Sequence, residues 1–189
     1  MKIYFIISFI SMFLWIFPFV RQYKTDLFWY FFALGLADPI SFISYSVNPK
    51  IPGYVITNLF LLFSLVYKTK NKRDIIAFII FSLIILAIHF ANPRSPYPLK
   101  VILIHSVIIY LFFKRAITFT AEKKKINLFQ IFLLLEEISM ITKVIYSLFD
   151  VPGASAFFLA TNIFEYLFAI FFSFYREDDE RIQIKLRHN

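Results

Sequence analysis

The chain has no cysteine, which excludes thiol catalysis, disulfide staples and thiolate-held metals. Glycine is nearly as scarce, at three residues in 189, leaving no phosphate-binding glycine loop and no Gly-x-Ser-x-Gly elbow. Charge is thin as well. Asp, Glu, Lys and Arg make up 17% of the chain, against about 25% in a soluble domain. That leaves too little polar surface to cover a water-soluble globule. What the chain has instead is apolar bulk: 60% hydrophobic residues, 21% aromatic, and a mean hydropathy of +0.72. The same numbers exclude disorder. The composition is that of an integral membrane protein, with the aromatic load read mainly as lipid-facing bulk and interfacial anchoring.

A helix crossing the ~30 Å hydrocarbon core needs about 20 largely apolar residues. The apolar runs predict seven spans, at 3–20, 27–47, 51–67, 75–91, 99–113, 128–149 and 156–175. The fifth is short, with Lys114 and Arg115 able to snorkel as it continues. The first resembles a signal peptide, but Phe17-Pro18-Phe19-Val20-Arg21 offers no small-residue cleavage site, so it reads as a retained helix.

Lys and Arg orient the bundle. One side carries Arg21, Lys24, Lys68, Lys70, Lys72, Arg73, Lys114, Arg115, Lys123, Lys124, Lys125, Arg176, Arg181, Lys185 and Arg187, fifteen in all. The other carries only Lys2, Lys50, Arg94 and Lys100, while Lys143 falls within a span. The asymmetry predicts an outside N-terminus and a cytoplasmic C-terminus in the cytoplasmic (inner or plasma) membrane. The net charge of +8 is then a set of loop charges facing anionic lipid, and no nucleic-acid partner is expected. The tail 176–189 reads either as a solvated end or as a docking segment for a cytoplasmic partner. Ile182, Ile184 and Leu186 alternate in a strand-like way, while Glu177 and Arg181 have helix-pair spacing.

An internal repeat organises the chain. An offset of 101 places Lys24-Thr-Asp-Leu-Phe28 over Lys125-Ile-Asn-Leu-Phe129 and gives eight identities over residues 24–47, ending with Tyr45-Ser46 over Tyr146-Ser147. Just beyond, Pro52-Gly53 corresponds to Pro152-Gly153, and Thr57-Asn58-Leu59-Phe60 to Thr161-Asn162-Ile163-Phe164. The reading is one all-α transmembrane domain: repeat 1 at about 3–67, a linker helix at about 75–91, repeat 2 at about 99–175, and a tail. An odd linker leaves both three-helix units in the same orientation, a 3+1+3 parallel repeat.

This layout resembles the SWEET sugar carriers and the wider Pro-Gln-loop group of seven-helix proteins. The resemblance implies a central substrate site lined by an Asn on helix 3 and another on helix 7, here Asn58 and Asn162. The sequence departs from that group in lacking a Pro-Gln dipeptide and in having tryptophan only at positions 15 and 29.

A charge at mid-bilayer costs about 2.5–3.5 kcal/mol on insertion scales. Asp38 on helix 2, Glu136, Glu137 and Lys143 on helix 6, and Glu165 on helix 7 must therefore face inward, pair, carry protons or meet another protein. Asn162 and Glu165 share one helix face, as do Asp38, Ser41 and Tyr45. A single central cavity bounded by Asp38, Asn58, Glu136, Asn162 and Glu165 is the simplest destination. Lys143 is two turns from Glu136 and is expected to pair with another helix. His89 and His105 fall near the outer face, where a carboxylate would let them sense pH or hold a metal. No cofactor or metal is expected, and no catalytic motif is present.

The sequence thus points to a small multi-pass carrier or solute-binding bundle. Asn58, Asn162, Glu165 and Asp38 would meet a small polar or cationic solute. The rival is a non-transporting sensory or accessory scaffold subunit of a larger membrane protein complex, in which Glu136, Glu137 and Lys143 would touch partner helices; a homo-oligomer is compatible with the carrier.

Overall fold

The computed structural model describes residues 10, 13–48, 53–68, 71–91, 97–149 and 154–186. Among them the fold is all-α, with seven helices: α1 (Ile16–Arg21), α2 (Phe28–Val47), α3 (Gly53–Lys68), α4 (Lys72–Ala91), α5 (Tyr97–Lys123), α6 (Leu128–Leu148) and α7 (Ala154–Phe174). Three of these are long and apolar enough to cross a membrane: α4, residues Pro98–Lys123 of α5, and Ala156–Phe174 of α7. Phe28–Ser44 and Gly53–Lys68 are shorter apolar stretches. α6 is set apart by carrying Glu136, Glu137 and Lys143 within its 21 residues. Half of the first expected span (residues 3–9, 11 and 12), Pro52 of the first Pro-Gly pair and the whole of the second pair lie outside the described residues.

α5 runs to Lys123, well past the expected end at 113. Its added turns, Lys114-Arg-Ala-Ile-Thr-Phe-Thr-Ala-Glu-Lys123, include good helix formers that keep the backbone bonds closed beyond the apolar run. The helix stops where Lys124 turns into the left-handed region, at φ 53°. Lys24, after α1, does the same at φ 67°. α6 then starts on a side-chain cap, with the Phe129 amide donating to Asn127 Oδ1 at 2.9 Å.

α2 packs against α1 and α3, and α6 against α5 and α7. Two further contacts join these groups, α3 with α5 and α1 with α7. α4 leans chiefly on α3 and buries only Ile85. Between lipid-facing helices burial gains little, so close packing must hold them together. Gly35 permits one close approach, since a Cβ there would lie 3.0 Å from the Trp15 carbonyl oxygen. At Gly53 a Cβ would meet Ser44 Cβ at 2.7 Å, which fixes the α2–α3 crossing.

Part of the aromatic load is core, not lipid-facing surface as expected. Phe31, Phe129 and Phe172 are fully buried and pack together, with Phe31–Phe172 and Phe129–Phe172 centroids 5.1 and 4.9 Å apart. Such pairs contribute about 0.5–1.5 kcal/mol each beyond area, and these tie α2, α6 and α7 together.

Residues 176–186 of the tail fold back onto the bundle. Gln22 is fully buried, and its Nε2 donates to the Phe172 and Tyr175 carbonyls at 3.2 and 2.8 Å. The Glu177 amide donates back to Gln22 Oε1 at 3.1 Å. A 3-10 turn (Glu180–Ile182) leads into β2 (Gln183–Lys185), which pairs antiparallel with β1 (Lys125–Asn127). Of the three alternating residues only Ile184 lies in the strand; Ile182 is buried in the preceding turn and anchors it, while Ile184 and Leu186 are exposed. The helix-type Glu177–Arg181 pair does not form: Glu177 meets Arg115, and Arg181 meets Asp179 at 2.6 Å.

Candidate functional site

Consecutive residues of a helix point about 100° apart, so Glu136 and Glu137 face different neighbours from one level of α6. Tyr30, near the start of α2, donates its hydroxyl to Glu137 Oε1 at 2.5 Å and lies 3.5 Å from Glu136 Oε2. From α5, His105 Nδ1 meets Glu137 Oε2 at 2.6 Å. Tyr30, His105, Glu136 and Glu137 are all at most 4% exposed. This sealed tier joins α2, α5 and α6. Glu137 is held on both oxygens, while the far ring nitrogen of His105, Nε2, has no partner.

Two turns further along α6, Lys143 Nζ donates to Asn162 Oδ1 at 2.7 Å and to Glu165 Oε1 at 2.8 Å. The expected partner on another helix is thus Glu165. Both acceptors come from one face of α7, as their spacing of three requires. Asp38 of α2 lies within electrostatic reach of Glu165 and Lys143. Glu136 also reaches Glu165 and Lys143, connecting the two levels. This second tier is only partly closed, with the Lys143 side chain 22% and that of Glu165 12% exposed.

The single cavity expected from the sequence is therefore two tiers linked through Glu136, one sealed and one partly open. Asn58 is buried and belongs to neither hydrogen-bonded set, since its Nδ2 has no partner. It follows Tyr54 by one turn on the same face of α3, and Tyr54 is within electrostatic reach of Asp38 and Glu165. Ser41 does not join the site, because its hydroxyl donates to the Ala37 carbonyl of its own helix at 2.6 Å. Of the two histidines near the outer end, His105 is buried against a carboxylate, whereas His89 Nδ1 sits 3.3 Å from the buried Lys100 ammonium. Among the described residues, no group of three or more Asp, Glu or His is arranged to hold a metal ion.

Tyr30 is the site residue that the sequence did not single out, whereas His105 was singled out and the carboxylate it meets is Glu137. Tyr30 reads as an interfacial anchor near a helix start, and it meets its partners across 106 and 107 residues. His105 and Glu137 are 32 apart, with no local spacing to flag them.

The end of the bundle that carries the loop cations is tied by a second set of charges. Asp26 accepts from Lys68 at 2.9 Å and lies 3.6 Å from Arg115, which also pairs with Glu177. The hydrogen bond from Lys68 lowers the Asp26 pKa. Burial raises that of Glu177, against the pull of Arg115. Asp179 falls to about 2, chiefly through its hydrogen bond from Arg181.

Within the two tiers stand four carboxylates, Asp38, Glu136, Glu137 and Glu165, against one lysine and one histidine. Acidic groups therefore outnumber basic ones. A low-dielectric interior tolerates such a deficit only if protons or a cationic ligand fill it. No protein-family model, curated protein or solved structure matches the chain.

Proposed function

We propose that the chain is a small multi-pass carrier or solute-binding bundle of the cytoplasmic membrane, with its polar site between two three-helix units. One observation carries this reading: Asp38, Glu136, Glu137, Lys143 and Glu165 are turned toward one another inside the bundle, and the tier around Lys143 remains partly open. In an accessory subunit, charges of this kind are spent on partner helices. Here they find partners within the chain, which favours a self-contained site.

The packing supports the 3+1+3 plan. If α1, α2 and α3 correspond to α5, α6 and α7, then the α3–α5 contact corresponds to α7–α1, and both are present. The contacts α1–α2 and α2–α3 likewise correspond to α5–α6 and α6–α7, while α4 stands aside as a connector. The left-handed turns at Lys24 and Lys124 fall just before the two corresponding helices. Lys68, Arg115 and the turn after α1 meet at one end, in keeping with seven spans, an outside N-terminus and a cytoplasmic C-terminus.

The test is flux through purified protein in liposomes loaded with a pH-reporting dye, screened against gradients of small polar and cationic solutes. Solute-evoked flux that is lost in Asn162→Ala and Glu165→Gln, with both variants still monodisperse, is the expected result. Absence of flux together with a stoichiometric partner on extraction in mild detergent overturns the reading and makes the chain an accessory subunit.

A further inference from the structure

The solute site proposed above leaves its ligand open, and the second tier carries a chemical description of one. An alkylammonium already sits in it. Lys143 Nζ is seated by the Asn162 amide oxygen at 2.7 Å and the Glu165 carboxylate at 2.8 Å. An ammonium has three donors and no acceptor, and these two oxygens use two of the three. Asp38 stands within electrostatic reach on α2, and so does the Glu136 carboxyl group of the other tier. A pocket built only to seat Lys143 needs one acidic group, whereas this one gathers three carboxyl groups around a single lysine. A second observation comes from α3, where the Asn58 amide is 2% exposed, with Nδ2 unpartnered, one turn along the helix face that Tyr54 presents to Asp38 and Glu165. A buried amide donor left open asks for an acceptor, and the cluster of carboxylates and amide oxygens offers none that it reaches.

Lys143 also has a way out. Its side chain is 22% exposed, on a flexible four-carbon stem, and Tyr146–Phe157 stacking at 3.9 Å clamps α6 to α7 one turn above it. The helices are thereby held in place while the lysine head moves. We infer that the Asn162–Glu165–Asp38 tier is a binding site for the primary ammonium group of a small solute, and that Lys143 is a built-in occupant which the solute displaces. An acceptor elsewhere on the solute, a hydroxyl or a carbonyl, would meet Asn58 Nδ2. This inference rests on the solute-binding reading of the bundle.

Self-occupation makes a counter-intuitive prediction. A site blocked in nine molecules of ten binds its ligand about tenfold more weakly than the open site. Removing the lysine therefore strengthens binding. The experiment titrates methylammonium chloride into the full-length protein in detergent, against sodium chloride at matched ionic strength, and reads calorimetric binding. Weak binding to the wild type, binding about tenfold tighter to Lys143→Met, and loss of binding in the Lys143→Met, Glu165→Gln double variant are expected. Equal or weaker binding to Lys143→Met overturns the inference, because the lysine is then structural. Should Lys143→Met fail to fold, the wild type with 15N-labelled lysine serves instead. The Lys143 15Nζ resonance is expected to move to the solvated position as methylammonium is added, and no movement at saturating amine overturns the inference. Liposome flux of a neutral or anionic solute, with no methylammonium binding, overturns the ammonium assignment and leaves the carrier reading intact.

Discussion

Tyr30 is a single hydroxyl placed between two carboxylates, and its value depends on what those groups would do without it. Phe in its place keeps the ring contacts, including the edge-to-face packing on Phe112 at 5.1 Å. What is lost is the donor, and a buried acceptor left unmet costs about 1–3 kcal/mol. Tyr30→Phe is therefore expected to lower the thermal unfolding midpoint in detergent, whereas Phe112→Leu, which thins the packing and spares the hydrogen bond, separates the two contributions. The charges of the tail titrate outside the bundle and give a prediction with a definite sign. Asp179 is depressed to about 2 chiefly by its hydrogen bond from Arg181, and it also caps the 3-10 turn through the Arg181 amide at 3.0 Å. A depressed carboxylate contributes above its unfolded value and loses that contribution as pH falls through its folded value. The turn is thus expected to persist at pH 4 and to open as pH falls through about 2, as read from the Arg181 amide resonance. Some of these residues were legible beforehand. Asn162 and Glu165 share a face because three residues nearly complete a turn, and Lys143 was too far along α6 to satisfy Glu136. Tyr30 was not legible, nor was the choice of Glu137 as the carboxylate for His105, because these contacts cross between helices and leave no periodic mark.

At the level of helices, contact geometry decides more than hydrophobicity does. Gly53 is the clearest case: a methyl there would stand 2.7 Å from Ser44 Cβ, a distance that real Cβ atoms essentially never show. Gly53→Ala is expected to push α3 off α2 and to destabilise by about 1–3 kcal/mol, despite the better helix propensity of alanine. Gly53→Ala with Ser44→Gly is expected to recover most of the loss, as a thermal midpoint measurement on the pair would show. The helix ends differ from the apolar runs for a related reason. α5 continues to Lys123 because nothing breaks its backbone ladder until Lys124 adopts a left-handed φ of 53°. Hydropathy locates the stretch that suits lipid and is blind to a helix that continues past it.

Taken as one object, the bundle is fastened unequally at its two ends. At one end Gln22, Asp26, Lys68, Arg115, Asn127 and Glu177 tie α1, α3, α5, α6 and the tail together, and the short β1–β2 ladder closes over them. At the other, the Lys143 tier is partly exposed. Truncation after Tyr175 removes the Glu177 partner of Arg115 and all of β2. It is expected to raise amide hydrogen exchange at β1 and the ends of α1 and α7 while leaving the Tyr30–Glu137–His105 tier protected. Uniformly increased exchange would mean that the tail supports the whole fold. In the proposed carrier, a fastened end opposite an open one describes a conformation with access from one side. The sequence displayed the helices and their charges but not this arrangement, since the tail's role depends on which loop it folds back upon.

The inward-turned charges of α6 bear finally on how the protein is made. A segment with two glutamates and a lysine partitions poorly into lipid by itself, at about 2.5–3.5 kcal/mol for each charge near its centre. Two of its charge partners, Tyr30 and His105, are synthesised before it, but Lys143 waits for Asn162 and Glu165, which follow. On the seven-span reading α6 therefore cannot settle until α7 has left the ribosome. On that reading the two helices are expected to enter the bilayer as one hairpin, and a nascent chain halted between them would present an unfinished membrane segment to quality control.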